Sequence, residues 1–391
     1  MKRKQTSFQA AEILLLSFAH FVHDVYSSFL APLLPLLIEK LSLSLTQAGF
    51  LSAVMQLPAL INPFIGMLAD RVSLRYFVIL APMMTAIPMS FIGLAPTYGV
   101  LLLLLFMAGI SVAMFHVPAP VMIARMAGSK KGRGMSFFMT GGELARTVGP
   151  LMAVGAVSLM GLEGFWPVMV VGIAASGILF LRFRSVDLSF HNRNKKTSLI
   201  TTFNNMRHVL LPLTIILLAR SFMHGSMTAF LPTFIQSQGG NIWLGGIALT
   251  LFEAAGVVGV LTAGSLSDYL GRRRVLLILL VGAPLSVLLF VVSSDWIRLF
   301  ALLSCGFMLL STTPVMLALV QEHAGDSPAA ANGMFMMIAF LARSSVVVLI
   351  GLIADWNGLQ TAYLVSAAAG LVGIPFIMML PARAVSEKNR E

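Results

Sequence analysis

The sequence predicts an all-α membrane protein of twelve transmembrane helices in two six-helix bundles, and three observations predict it. The chain is 58% hydrophobic and 10% charged, with a mean hydropathy of +0.91, a composition whose solvent is lipid. It divides into twelve apolar runs long enough to cross a bilayer. A short polar signature also occurs twice at the end of an apolar run, as Gly66-Met67-Leu68-Ala69-Asp70-Arg71 and as Gly264-Ser265-Leu266-Ser267-Asp268-Tyr269.

A hydrocarbon core of roughly 30 Å takes about 20 helical residues to cross, and backbone in lipid must satisfy its own hydrogen bonds. The runs are 12–37, 47–70, 76–96, 99–123, 134–159, 164–183, 209–235, 243–268, 273–292, 296–321, 331–354 and 359–381. Lys2-Arg3-Lys4 ahead of the first run imitates a secretory signal, but the run is too long and carries no convincing small-residue cleavage site, so it is read as the first helix. Between the sixth and seventh runs, His191-Asn192-Arg193-Asn194-Lys195-Lys196 marks a polar segment. It divides the chain into bundles 1–183 and 209–391 joined by a linker, 184–208. Landmarks recur at nearly one offset: Asp70 and Asp268 stand 198 positions apart, Gly109 and Gly306 197, Arg146 and Arg343 197. One such long repeat is a duplicated bundle, not a solenoid.

Lys and Arg concentrate in loops that stay cytoplasmic. The two tails and the even-numbered loops hold 21 of the 26 basic residues, whereas the odd loops hold only Lys40 and Arg298. Both termini are therefore expected in the cytoplasm, with the chain multi-pass in the inner membrane. The same dispersal along one membrane face removes the net charge of +11 as a nucleic-acid signal and makes it contacts for anionic lipid. Cys305 is the one cysteine, so no intrachain disulfide forms and a structural thiol is expected.

Gly-x-Leu-Ala-Asp-Arg after the second run, and Gly-x-Leu-Ser-Asp-x-x-Gly-Arg-Arg after the eighth, make the chain resemble the major facilitator superfamily over nearly its whole length. Within it the chain looks like the fosmidomycin resistance efflux family. The residues concerned are His20-Phe21-Val22-His23-Asp24, Phe115-His116 with Ala124-Arg125-Met126-Ala127, Gly141-Gly142 with Gly149-Pro150, and Gly351-Leu352-Ile353-Ala354-Asp355. The pattern departs at Ser73-Leu74, where the superfamily prefers Gly-Arg, at Val117 between His116 and Pro118, and at the ionisable Glu143 and Arg146. The resemblance implies a secondary transporter whose helices 1, 4, 5, 7, 8 and 11 line a central cavity. It also implies a conformational latch at Gly66, Asp70, Arg71 and Arg75 and at Gly264, Asp268, Gly271 and Arg272. Physically, the glycines would permit close helix approach, and each Asp would face a helix N-terminus or a nearby Arg.

Ionisable side chains inside a span cost at least about 2.5 kcal/mol each, so they mark a pathway or a partner. They are His20, His23 and Asp24 in helix 1, His116 in helix 4, Glu143 and Arg146 in helix 5, Arg220 and His224 in helix 7, Glu253 in helix 8 and Arg343 in helix 11. Arg146 and Arg343 hold equivalent repeat positions, and a guanidinium stays charged while offering a planar fork to carboxylate or phosphate. Two arrangements fit: the two Arg jointly clamp an anion, or each is neutralised internally, Arg146 by Glu143 and Arg343 or Arg220 by Glu253 or Asp24. Arg146, Arg343, Arg220, His116, His224 and Tyr26 form the expected substrate-binding set. Asp24, Glu143 and Glu253 are the expected proton carriers, since burial raises a carboxylate pKa while a nearby Arg lowers it; His20 and His23 stand by to share charge with Asp24. A copper reading through Met114 with His116 and His224 with Met227 competes with ordinary packing of scattered Met; no metal and no cofactor is expected.

The expected function is proton-coupled secondary transport, an antiporter exporting a small organic, anionic compound or drug of fosmidomycin type by alternating access, the protein a monomer. An importer of organic anions by proton symport or exchange is the alternative within the fold. A non-transporting membrane enzyme or sensor is the alternative outside it, and no nucleotide-binding loop, metalloprotease motif or soluble catalytic domain supports it.

Overall fold

Ala10 to Ser27 begins the structure as helix α1, and a break at Ser28 separates it from α2, Leu30–Leu41. The computed structural model describes residues 8–62, 64–65, 74–128, 130–184, 199–324 and 328–381. Among these no strand occurs, and the apolar runs are helical. The second run forms α3 (Leu45–Gln56) and a 3-10 turn, Leu57–Ile61. The third forms α4 (Arg75–Phe91), and the fourth α5 (Tyr98–His116) and α6 (Pro118–Met126), split where Pro118 lacks a donor for the turn before it. The fifth and sixth are α7 (Lys131–Met160) and α8 (Met169–Phe183).

The seventh run starts ten residues earlier than the apolar pattern, as α9 (Leu199–Ala229), because a helix continues through residues too polar to be read as membrane; α10 (Leu231–Ser237) follows. The rest are α11 (Ile242–Leu270), α12 (Arg272–Val292), α13 (Asp295–His323), α14 (Pro328–Leu371) and α15 (Ile374–Ile377). Gly358, at φ 79° and ψ 159°, interrupts α14 where the sequence separates its last two runs. Leu159, Leu181 and Leu261 are 87%, 73% and 74% exposed, which suits side chains facing lipid.

The chain forms two compact units. The first holds Met1–Leu43, Val54–Lys195 and Ile235–Thr250. Its core includes Ile13, Leu16, Val78, Phe115, Ile123, Phe138 and Leu179. The second holds Ser44–Ala53, Lys196–Phe234 and Leu251–Glu391, around Val209, Leu213, Leu276, Val315, Leu319 and Phe335.

The duplication is visible in packing. In the first unit a Cβ on Gly109 would overlap the Met55 carbonyl; in the second a Cβ on Gly306 would overlap the Phe252 carbonyl. Glycine and carbonyl both move on by 197 positions, so the same close crossing is made twice by the same missing side chain.

Candidate functional site

Three of the expected ionisable groups of helix α1 share one face, because 20, 23 and 24 are spaced by three and four. All three are buried in the first unit. His116, in the last turn of α5, meets them. The Asp24 carboxylate lies between three imidazoles: Oδ1 accepts from His23 Nδ1 at 2.8 Å, Oδ2 stands 3.2 Å from His20 Nε2, and Oδ1 stands 3.5 Å from His116 Nε2. Gly142 makes room on α7, since a Cβ there would stand 2.6 Å from His20 Cε1. Phe138 stacks on His20 at 4.1 Å and Phe115 on His23 at 4.6 Å, closing the cluster in apolar rings. The side chain of Asp24 serves this cluster and not the break that ends α1, where Ser28 N donates to its backbone carbonyl instead.

On α7, Glu143 and Arg146 form the expected i, i+3 ion pair. The Arg146 side chain is 49% exposed, so the pair is reachable by solvent. Tyr26 is buried, and its hydroxyl donates to the Val168 carbonyl, tying α1 to the turn before α8; this occupies the polar atom by which it was expected to touch substrate.

The second unit carries the other cations. Arg220 of α9 is 4% exposed, and its hydrogen bonds go to uncharged acceptors: Nε to Thr312 Oγ1 at 2.5 Å, Nη2 to the Leu309 carbonyl at 3.2 Å and to Thr313 Oγ1 at 3.1 Å. Arg343 of α14 acts on it as a neighbouring like charge, and its own guanidinium lies 5.7 Å from the Phe340 ring centroid. His224 is buried one turn beyond Arg220, with Thr228 Oγ1 at 3.3 Å from its Nδ1. Glu253 of α11 is buried in the same unit.

Of the latch, Gly66, Asp70 and Arg71 lie outside the described residues, and Arg75 opens α4. In the second copy Arg272 is the hub: it pairs with Asp268 and with Glu322 at 2.9 Å, and donates to Ser267 Oγ and the Gly264 carbonyl. Asp268 thus takes the nearby Arg. Gly271 holds φ 91°, the left-handed region that glycine tolerates, at the turn into α12. Gly264 corrects the expectation of close approach: no heavy atom lies within 4 Å of where its Cβ would stand.

The sequence offered a metal reading only as Met114 with His116 and His224 with Met227, and none was expected, yet the fold brings His20, Asp24 and His116 together with their donor atoms all within 4.8 Å. The signal was divided between two runs some ninety residues apart, and only helix packing joins them. Asp355, near the interruption in α14, stands out in the sequence only as part of a family pattern, with no role of its own. It accepts from the Leu45 and Thr46 backbone N–H groups at 2.7 and 2.8 Å and so caps α3, while Gly351 lets the Leu45 carbonyl come close.

Comparison with known proteins gives a family. The sequence model of the Major Facilitator Superfamily matches residues 16–344 and 244–391. The fosmidomycin resistance protein of Escherichia coli K12 is 25% identical over 372 residues, 93% of this chain and 91% of its own. The multidrug resistance protein MdtG of Proteus mirabilis is 27% identical over 280 residues, 66% of this chain and 68% of its own. Among solved structures, a bacterial homologue of the human lysosomal transporter Spinster, inward-facing and occupied, superposes with a TM-score of 0.83 at 14% identity, covering 95% of this chain and 97% of that one.

Proposed function

The chain belongs to the Major Facilitator Superfamily, and from that premise we propose that this membrane transporter is a proton-coupled antiporter that exports a small organic anion by alternating access. One observation carries the choice of an anion: the guanidinium of Arg220 is buried among uncharged acceptors with the Arg343 charge beside it. The Arg343 charge acts unfavourably on the buried Arg220, and an anion bound at the Arg220 fork relieves that repulsion. The names of the relatives, fosmidomycin resistance and multidrug resistance, support export.

Of the three expected carriers Asp24, Glu143 and Glu253, Glu143 is the proposed site of proton coupling. Its carboxylate competes with any anion for Arg146, so protonating it frees the guanidinium, and an arriving anion in turn favours the proton. This linkage loads proton and anion together, so it is the specific support for the second reading, import by proton symport, whereas antiport is supported by the names of the relatives.

Inside-out membrane vesicles separate the two. An acidified lumen makes an antiporter accumulate the probe, whereas a symporter is driven to empty it. Fosmidomycin, methylphosphonate and acetate are the probes. Proton flux in liposomes holding only this protein, with no change on adding any probe of a ligand thermal-shift screen, would refute the transport reading altogether.

A further inference from the structure

We propose that His20, Asp24 and His116 form a binding site for one divalent transition cation of the zinc type in the first unit, a site distinct from the anion site of Arg220 and Arg343 and independent of the direction of transport.

The argument begins with the tautomers. His20 Nδ1 is 2.8 Å from the Phe138 carbonyl and His116 Nδ1 is 3.0 Å from the Val112 carbonyl. A carbonyl only accepts, so both Nδ1 atoms carry the proton and each neutral ring presents a bare lone pair at Nε2. Those two Nε2 atoms face each other at 3.3 Å, with Asp24 oxygens at 3.2 and 3.5 Å. Lone pairs and carboxylate oxygens converging in a buried place repel unless a cation sits among them.

The spacing selects the cation. A tetrahedral zinc ion with bonds of about 2.0–2.1 Å sets its ligands roughly 3.3–3.4 Å apart, whereas an N–H···N or N–H···O hydrogen bond closes to about 2.7–3.2 Å. The His20 nitrogen faces Asp24 Oδ2 at 3.2 Å, the His116 nitrogen faces Oδ1 at 3.5 Å, and the two nitrogens stand 3.3 Å apart, so both imidazoles and the one carboxylate converge at about the ligand spacing of such an ion. Two imidazoles and a carboxylate leave the fourth position for water, and His116, with 37% of its side chain exposed, gives the ion a way in.

The surroundings fit as well. Carbonyls on Nδ1 are the partners that orient metal-bound histidines, and His23 Nδ1 holds the Asp24 carboxylate from behind. Phe115 and Phe138 pack their rings on His20 and His23 and hold the imidazoles in place. The Arg146 charge acts on His116, but Glu143 is paired to it and offsets that repulsion. A bound ion would pin α1 to the end of α5.

The test uses full-length, tag-free protein in detergent at pH 7, with Zn2+ by titration calorimetry and Co2+ by visible absorption. One ion per chain, the intense bands of four-coordinate Co2+, and a loss of affinity of at least about 100-fold in His20→Ala and His116→Ala are expected. His208→Ala and His323→Ala are the controls, since those rings also face each other, at 6.1 Å, in the second unit; they should bind like wild type. Thermal unfolding without metal checks that each variant folds, and Asp24→Asn, nearly isosteric, replaces any that does not. No Zn2+ binding, or binding unchanged in all three site variants, overturns the proposal and leaves protons as the occupants. Because the measurement needs neither substrate nor gradient, its failure is separate from failure of the transport reading.

Discussion

Arg220 and Glu143 test the chemistry one side chain at a time. Arg220→Gln removes the buried fork while keeping a polar side chain for Thr312 and Thr313, so anion binding should weaken by about 1.5–3 kcal/mol, the value of a charge-assisted hydrogen bond. Calorimetry with a charged ligand and its neutral analogue checks this: the loss should fall on the charged one, and an equal loss for both would remove Arg220 from anion recognition. Glu143→Gln should alter stability by less than about 1 kcal/mol, because the Arg146 side chain it pairs with is half exposed and a solvent-screened ion pair is worth little. In liposomes, however, transport driven by a pH gradient should fall to background while substrate exchange continues. Gradient-driven transport at the wild-type rate would move the proton to another carboxylate. Both residues stood out in the sequence as charges inside apolar runs, as did Arg146; the acceptors of Arg220 did not, since Thr312 and Leu309 lie in a run that carries no charge at that depth.

Helices meet through what is missing from their surfaces. Gly109 and Gly306 each admit a carbonyl of the neighbouring helix, Met55 in one unit and Phe252 in the other. Gly109→Val and Gly306→Val should each destabilise by about 1–3 kcal/mol through overpacking, and by similar amounts because the two crossings are copies. Thermal unfolding in one detergent measures it. A loss confined to one variant would mean that the duplicated crossings carry unequal weight. The sequence revealed this pair as landmarks 197 positions apart, but not which carbonyl each receives, because a helix crossing is set by two surfaces at once. The proline split between α5 and α6 was hidden for a related reason: apolar periodicity continues across Val117 even though the hydrogen-bond ladder does not.

At the scale of the whole molecule, topology and a tie between segments can be measured. The orientation expected from the basic residues, both termini cytoplasmic, predicts that a cysteine at Ser198 resists an impermeant reagent in intact cells while one at Asn357 reacts; the reverse pattern inverts the assignment. The tie joins Lys40, at the end of α2, to Glu163 at 2.6 Å and to the Gly93 carbonyl at 2.6 Å. The hydrogen bond from Lys40, and then its charge, hold the Glu163 carboxyl below the usual range. A lowered carboxylate adds stability above its unfolded pKa of about 4.3 and loses it as pH falls through the folded value. Unfolding temperatures of wild type and Lys40→Met should therefore differ at pH 7 and converge at pH 3; a constant difference would show that the tie is not ionic.

The sequence by itself determined the fold class, the duplication and the stock of intramembrane charges. Lipid forbids unpaired backbone and penalises charge, so run length and rare polar residues are written openly in such a chain. It also placed Glu143 and Arg146 on one helix face, since that pairing is local. Tertiary structure alone decided the rest: that His116 meets the His20 and Asp24 face, that Arg220 takes hydroxyls and a carbonyl, and that Asp355 caps α3. Each of those joins residues tens to hundreds of positions apart, and helical periodicity fixes only which way a side chain points, not which neighbour arrives there.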